Sequence, residues 1–313
     1  MNFFKNKIFK FFLKLAVSLV FVAWLILKVN WREVLGYALK ISWWQIVLYV
    51  AVLLLGMMIS AYKWRVLAQF KDFDFPLVRY FQFYLTGTFL NNFFPSFIGG
   101  DTYRAYQLGK SERKYVSATA TVVMDRVTGL LGAMILSVVF AIVNWRAVWQ
   151  HQILLLIVAV AVAVLIGTLG VGVIVRFSFW KKLAEHTPKK VLEVIKDFVE
   201  YQGSAALKKS IFFSVIYGLV GLGLVNWVLF SALGIQIGII NYLTVIFLVS
   251  IVSSIPVSVN NIGIKEWAYV TFFGFFGVSA SAVVTIAIIS RVLQMLVSFV
   301  ALPMYLKNKN DAR

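Results

Sequence analysis

Long apolar segments separated by short polar connectors make up most of this chain. Segments long enough to cross a bilayer lie near 15–29, 43–62, 116–143, 153–175, 210–233 and 281–306. About 20 helical residues cover the ~30 Å hydrocarbon core, so each segment predicts a membrane-spanning helix. The pattern predicts an all-α integral membrane protein, a polytopic helical bundle with a single domain over 1–313.

Two further apolar stretches, about 80–109 and 242–277, are each interrupted by proline and turn-forming residues. The predicted turn residues are Pro95, Ser96, Gly99, Gly100, Pro256, Ser258 and Gly263. After the first break, residues 101–109 provide roughly 13 Å of helix, which reaches about halfway across the hydrocarbon core. We therefore expect two re-entrant helical hairpins beside six full spans. Eight full spans would satisfy the loop charges equally well.

The charge of the chain lies in its connectors. The net charge is +18 although only 13% of residues are charged. Basic residues collect in both termini and in three connectors: 63–79, 101–114 and an amphipathic connector at about 176–209. The positive-inside rule therefore places these connectors and both termini in the cytoplasm. This distribution predicts the cell (inner) membrane and attraction to its anionic inner leaflet, and it argues against nucleic-acid binding.

The same charges make the two hairpins enter from opposite sides, and the two halves of the chain resemble each other. The segment 117–121 (SATAT) leads to Arg126-Val127, and 281–285 (SAVVT) leads to Arg291-Val292. A span precedes each hairpin, and a span with a buried-looking arginine follows it. We therefore predict an inverted repeat whose two hairpin tips meet near the middle of the membrane.

Ionisable residues inside membrane segments are costly and usually mark a substrate path. The candidate substrate-binding residues are Asp101, Arg104, Asp125, Arg126, Asn260, Asn261, Lys265, Glu266 and Arg291. We expect Asp101 to cap the helix after Gly99 and Gly100, whose freedom permits a positive φ and close packing, and Asn260-Asn261 to form the second turn and cap.

These residues carry one surplus positive charge, and the two hairpins present two helix N-termini. Both features suit a phosphate head group. The alternative interpretation is an internal salt-bridge network with a structural role. Because Asp125 and Arg126 diverge by ~100° on a helix, each needs a separate partner in either case.

Other chemistry has little support in the sequence. The chain has no cysteine and two histidines, both in polar connectors, so we expect no metal site and no cofactor. An integral enzyme would use Asp101, Asp125 or Glu266 as a general base, but no nucleophile-plus-base set accompanies them.

Three motifs resemble a known family. The first motif is similar to one in the membrane domain of lysylphosphatidylglycerol synthases and their stand-alone flippase-like relatives. It runs from Phe94-Pro95 through Gly99-Gly100-Asp101 to Arg104. The elements at 125–130 (DRVTGL) and 256–266 (PVSVNNIGIKE) resemble the same family, over about 43–305. The chain has Asn260-Asn261 where the family often has two glycines, and Lys265 where arginine is common.

The resemblance implies an integral membrane protein associated with moving a lipid between leaflets or with related polyprenyl-linked glycolipid pathways. The soluble aminoacyl-transferase domain of the synthases is absent from this sequence, so lysyl transfer is not implied, and we expect no enzymatic activity. We expect a flippase-type transporter of an anionic or phosphate-linked lipid, either a phospholipid or a polyprenyl-linked glycolipid. The alternative is a non-transporting scaffold for a partner transferase that modifies lipids or adds sugars.

Overall fold

The computed structural model describes residues 7–94, 98–110, 112–174, 199–255 and 257–310. Helices make up nearly all of these residues, and no β-strand occurs among them. The predicted all-α fold is confirmed. The predicted turn residues Pro95, Ser96 and Pro256, and most of the predicted connector at 176–209, lie outside the described residues.

The first half of the chain contains a bent helix pair, two long helices and a shorter pair between them. Its helices are α1 (Lys7–Lys28), α2 (Trp31–Ala38), α3 (Trp43–Gln69), α4 (Leu77–Asn91), α5 (Ile98–Lys110), α6 (Tyr115–Val143), α7 (Trp145–Trp149) and α8 (Gln152–Ile174). Helices α1 and α2 meet at 86°, a bend that was not predicted. Hairpin 1 consists of α4 and α5, which pack against each other.

The second half repeats the arrangement of long, short, short and long helices. Its helices are α9 (Ala205–Ala232, with a π-helical segment at Gly218–Leu224), α10 (Ile239–Ser254), α11 (Ile264–Gly274), α12 (Ala280–Ser298) and α13 (Leu302–Asn310). Helices α10 and α11 pack together as hairpin 2. A short 3₁₀ turn, Phe299–Ala301, continues α12 into α13.

Four of the described helices are long and apolar enough to cross a membrane. They are Trp43–Gln69, Tyr115–Val143, Ala205–Ala232 and Ala280–Leu306. The bent α1–α2 pair passes the same test as one unit, and α8 contributes the shorter apolar stretch Gln152–Thr168. The chain is therefore a multi-pass membrane protein, while the count of six full spans stays a prediction.

Helix α3 extends beyond the predicted span 43–62. The stretch 63–79 was expected to be a cytoplasmic loop because it holds four basic residues, but α3 continues to Gln69. Lys63 and Trp64 are both buried in this extension. The prediction failed because an ion pair inside the protein stabilises the Lys63 charge, and loop charge counting takes no account of such pairs.

The start of α5 also differs from the prediction. The helix begins at Ile98, so Asp101 lies inside its first turn and is not the cap. Neither Gly99 nor Gly100 has a positive φ, contrary to expectation. Close packing is the reason that Gly100 suits this position, because a Cβ atom there would lie 2.2 Å from the carbonyl oxygen of Gly87 on α4.

The tip of hairpin 2 turns at the predicted asparagines. Asn260 and Asn261 have φ values of 47° and 59°, a region that asparagine tolerates better than most residues. The helix cap is Gly263 rather than either asparagine, since Gly263 precedes α11 and its N–H donates to Glu266 Oε2 at 2.7 Å. The expected turn is present, and the cap lies two residues further along.

The two halves match at a nearly constant spacing. The four corresponding helices of the second half start 162 to 166 residues after those of the first. Asp101 and Glu266 are 165 residues apart, as are Arg126 and Arg291. Each acid forms an ion pair with the arginine 25 residues later in its own half. These observations support the predicted repeat.

Helices α3 and α9 cross at corresponding glycines. Gly56 and Gly221 are also 165 residues apart, and a Cβ on Gly56 would lie 2.8 Å from Gly221 Cα. Further along α3, the ring of Tyr62 contacts Phe213, which lies earlier in α9, at 4.7 Å. Corresponding helices thus run in opposite directions, as expected when an inverted repeat has a pseudo-twofold axis near this crossing.

The bases of the hairpins lie at opposite ends of α6. Hairpin 1 leads directly into the start of α6, where Tyr106 and Tyr115 stack at 5.9 Å. At the other end of α6, Asn144 Nδ2 donates to Asn241 Oδ1 near the start of hairpin 2, at 2.9 Å. The opposite orientation of the hairpins follows from these contacts.

Each tip contacts a candidate membrane-spanning unit away from the ends of that unit: α1 for tip 2, and Ala280–Leu306, which continues α12 into α13, for tip 1. In tip 2, the Val259 N–H donates to Ser18 Oγ at 2.8 Å, about midway along α1. In tip 1, Asn92 Nδ2 donates to Ser298 Oγ at 2.8 Å, eight residues before Leu306. These contacts favour re-entrant hairpins over full spans. Re-entry itself, and the meeting of the two tips, stay predictions.

Candidate functional site

The first element of the site is an ion pair between hairpin 1 and α6. Asp101 accepts two hydrogen bonds from Arg126, from Nε to Oδ2 and from Nη2 to Oδ1, both 2.9 Å. Such bidentate pairing fixes the orientation of a guanidinium as well as its position. Arg126 nevertheless remains 48% exposed, although a buried position was expected from the sequence. The pair therefore holds an arginine at the surface of a helix with membrane-spanning length.

A second charge cluster lies directly behind this pair and is buried. Asp125 Oδ2 accepts from Arg104 Nη2 and from the Tyr84 hydroxyl, each at 2.7 Å. Lys63 Nζ lies 2.9 Å from Asp125 Oδ1 and donates to the Asp125 carbonyl at 2.8 Å. The exposed fractions of Lys63, Asp125 and Arg104 are 3%, 1% and 2%. The cluster ties α3, α4, α5 and α6 together.

Aromatic rings complete the environment of Arg104. Its Cζ lies 3.9 Å from the ring centre of Tyr84 and 4.2 Å from that of Trp64. A guanidinium held over aromatic faces gains electrostatic stabilisation after losing its water. Arg104 Nη1 also lies 3.4 Å from Asp101 Oδ1, so Arg104 connects the buried cluster to the exposed pair.

An open groove runs between α5 and α6 and ends at the Asp101–Arg126 pair. Its volume is about 470 Å³, and its lining residues are Asp101, Thr102, Ala105, Tyr106, Tyr115, Thr119, Val122, Val123, Arg126 and Val127. The stacked tyrosines lie near the other end of the groove. The lining combines an apolar valine wall with hydroxyl groups and one ion pair, which suits an amphipathic ligand.

The second half contains the corresponding ion pair, and its described residues form no buried charge cluster like that of the first half. Arg291 Nη2 donates to Glu266 Oε1 at 2.9 Å, and Arg291 Nη1 donates to the Asn260 carbonyl at 3.2 Å. Asp125 corresponds to Ser290 at the same spacing, and the Ser290 carbonyl accepts from a tyrosine hydroxyl. Hairpin 2 is thus held by fewer charges than hairpin 1.

Two other predicted residues of hairpin 2 have different surroundings. The Asn261 side chain donates to the Ser253 carbonyl, so it stabilises the turn. Lys265 is partly buried, with Nζ 5.6 Å from the ring centre of Tyr269. Ser258 is buried, and its hydroxyl has no hydrogen-bond partner among the described residues.

Most of the predicted charged residues come together, in two groups. Asp101, Arg104, Asp125 and Arg126 form one group, and Lys265, Glu266 and Arg291 lie near one another in the other. Asp125 and Arg126 have separate partners, as the geometry of a helix predicted. Sequence reasoning missed Lys63 and Tyr84. For Lys63 the available signal was its position among Trp64 and the apolar residues 66–68, which is unusual for a solvated loop.

Comparison with known proteins agrees with this architecture. The family described as the lysylphosphatidylglycerol synthase TM region matches residues 11–301. A UPF0104 membrane protein from Methanothermobacter thermautotrophicus is 24% identical over 260 residues, which cover 74% of this chain and 75% of that protein. No solved structure gives a significant match. The chain therefore belongs to the family of the lysylphosphatidylglycerol synthase transmembrane region.

Proposed function

We propose that this protein moves an anionic or phosphate-linked lipid between the two leaflets of the cell membrane, without chemical change to the lipid. The observation that carries the proposal is the position of Arg126. It lies eleven residues into α6, about 16 Å along the helix and so near the middle of a ~30 Å hydrocarbon core. A half-exposed arginine at that level is costly unless a polar path or ligand accompanies it.

The groove supplies such a path. The groove is partly open, so a head group inside it can contact Thr102, Thr119 and Arg126 while the lipid tails stay in the bilayer. This arrangement lowers the cost of taking a charged head group through hydrocarbon, because hydroxyl and guanidinium groups replace part of its hydration.

The charge balance favours an anion. The first group contains Lys63, Arg104 and Arg126 against Asp101 and Asp125, a surplus of one positive charge. The second contains Lys265 and Arg291 against Glu266, again a surplus of one. A singly charged phosphodiester would neutralise either group, and the planar guanidinium is well suited to bind it.

The decisive experiment reconstitutes the purified protein in proteoliposomes with fluorescent lipids, and a membrane-impermeant quencher reports the leaflet. We compare phosphatidylglycerol, a polyprenyl phosphate and neutral diacylglycerol. Arg126→Gln and Arg291→Gln should each abolish movement of the phosphate-bearing lipids while the proteins remain inserted and folded. Arg146→Gln is the matched control, since Arg146 is exposed and lies on α7 outside the groove.

The outcomes separate the proposal from its alternatives. Normal movement in both variants would show that the anion-site argument is wrong. If neither variant accumulates as folded protein, the arginines have the structural role of a salt-bridge network. If the parent moves none of the lipids, the scaffold for a partner transferase becomes the better explanation.

A further inference from the structure

The cations of the two halves differ in how fully they are neutralised. In the first half, Lys63, Arg104 and Arg126 each lie within 3.4 Å of a carboxylate oxygen. In the second half, the Glu266 carboxylate forms an ion pair with Arg291, and Lys265 has no ion pair among the described residues. The two halves are therefore not electrostatically equivalent, although their acid–arginine pairs correspond in position.

The contacts of Glu266 are with groups other than the Lys265 ammonium. Its Oε2 accepts from the Gly263 N–H at 2.7 Å, and its Oε1 accepts from Arg291 at 2.9 Å. The charged groups that act on Lys265 are Arg291, which repels it, and Glu266. Among the described residues Lys265 has no ion pair, and its Nζ lies over the ring of Tyr269. A partly buried ammonium without a counter-ion is a costly arrangement unless a ligand supplies the charge.

Other donors lie close in the chain. Lys265 is the second residue of α11, where the first backbone N–H groups of a helix lack partners within the helix. Ser258, 3% exposed, belongs to the same turn as Asn260, whose carbonyl accepts from Arg291. The tip of hairpin 2 and the neighbouring α12 thus contribute two cations, one hydroxyl without a hydrogen-bond partner among the described residues and a helix N-terminus, against the single carboxylate of Glu266.

We propose that Lys265 and Arg291 form a second phosphate-binding position, at the tip of hairpin 2, in which Lys265 supplies the charge that the lipid phosphate neutralises. This inference rests on the proposed function and extends it. The lipid has one phosphate position in each half, at Arg126 and at Arg291, and the pseudo-twofold axis near Gly56 and Gly221 relates these two arginines. Lys265 has no counterpart in the first half, where Gly100 lies at the corresponding position. Because the hairpins enter from opposite sides, the two positions serve opposite leaflets.

Binding to the full-length protein tests the position independently of transport. Native mass spectrometry in detergent measures binding of phosphatidic acid, phosphatidylglycerol, diacylglycerol and inorganic phosphate. The variants are made in an Arg126→Gln background, which isolates the second position. In this background Lys265→Gln should weaken binding of both phosphate-bearing lipids roughly tenfold or more relative to Arg126→Gln alone.

Three controls accompany this variant. Lys265→Arg should retain binding of the phosphate-bearing lipids, and Lys208→Gln, on an exposed lysine, should not affect it. Binding of diacylglycerol should be the same in all variants. Binding of inorganic phosphate alone with the same dependence on Lys265 would identify a free-phosphate site and overturn the lipid assignment.

A footprint on the unaltered protein covers the case in which Lys265→Gln does not fold. Phosphatidic acid should protect Lys265, but not Lys208, from acylation by an amine reagent, and diacylglycerol should protect neither. Equal acylation of Lys265 with and without phosphatidic acid would overturn the inference. The result is distinguishable from the transport experiment, since protection without lipid movement leaves the binding position standing and removes only the transport proposal.

Discussion

Asp125 is the residue on which the packing of the first half depends most. A carboxylate that is 1% exposed is tolerable only because Lys63, Arg104 and Tyr84 all contact it. Buried ion pairs contribute little net stability compared with apolar substitutes, but removal of one partner leaves an uncompensated charge. The cluster therefore stabilises one arrangement of helices rather than the fold in general.

Replacement of the lysine in this cluster should destabilise the protein strongly. We expect Lys63→Met to lower the free energy of unfolding in detergent by about 3–5 kcal/mol, since it leaves Asp125 with one cation fewer. The measurement is denaturant unfolding followed by tryptophan fluorescence. Lys208→Met, on an exposed lysine, is the control and should change stability by less than about 0.5 kcal/mol.

A double variant tests the stated cause. In an Asp125→Asn background, Lys63→Met should cost less stability than it costs in the parent protein, because the Lys63–Asp125 ion pair is already absent. If Lys63→Met and Lys208→Met have the same stability, the buried ion pair is not what holds α3 against α6.

At the scale of elements, hairpin 1 depends on close backbone contact between its two helices. Gly100 lies against the carbonyl of Gly87, and its N–H donates to Asn91 Oδ1 at 2.8 Å. This contact places α5 so that Arg104 reaches Asp125 and Asp101 reaches Arg126. A small change in the spacing of α4 and α5 would therefore alter both groups of ion pairs.

Adjacent glycines provide a matched test of this contact. In Gly100→Ala the new Cβ would lie 2.2 Å from backbone, so we expect a loss of roughly 1–3 kcal/mol of stability and most lipid movement. In Gly99→Ala the nearest atoms to the new Cβ all belong to the side chain of Phe94, from Cδ2 at 2.4 Å to Cβ at 3.0 Å, and this exposed side chain can move more easily than backbone. Thermal unfolding and the leaflet assay should separate the two variants; equal behaviour would contradict the role of close packing.

The helices themselves were predictable because long apolar runs leave few alternatives in a bilayer. The two hairpin breaks were also predictable, from prolines and turn residues between short apolar segments. The buried position of Lys63 could not be predicted, since its partner Asp125 is 62 residues away in the sequence and loop charges alone cannot reveal such a pair. The cap at Gly263 was missed for a related reason. It depends on Glu266 reaching back to a backbone N–H, and the two asparagines before it offered a stronger local signal.

On the scale of the whole molecule, the two halves run in opposite directions and their hairpins open at opposite ends of α6. The topology therefore makes a directional prediction. Asp74 lies before hairpin 1 and Gln236 lies before hairpin 2, and both are exposed. The two positions should face opposite sides of the membrane, with Asp74 in the cytoplasm together with the two termini.

Cysteine labelling measures this directly, because the chain has no cysteine of its own. A membrane-impermeant maleimide added to intact cells should label Gln236→Cys and leave Asp74→Cys unlabelled until the cells are opened. A cysteine at Ser96 should react poorly from either side if hairpin 1 is re-entrant. Strong labelling of Ser96→Cys from outside would instead support eight full spans.

Helix α8 has a consequence for how such a molecule could arise. It stands between the unit formed by α3 to α6 and the unit formed by α9 to α12, and belongs to neither. In the predicted topology each unit begins and ends on the same side of the membrane, so two units joined directly would run in the same direction and would not have the antiparallel crossing at Gly56 and Gly221. One additional membrane crossing between the two units restores the antiparallel arrangement. The sequence of α8 can therefore drift widely as long as it remains apolar, whereas its deletion would reverse the second unit. An ancestor of this protein would have been a single unit that inserted in both orientations, and the gain of one plain helix would have allowed both orientations to be encoded in one gene.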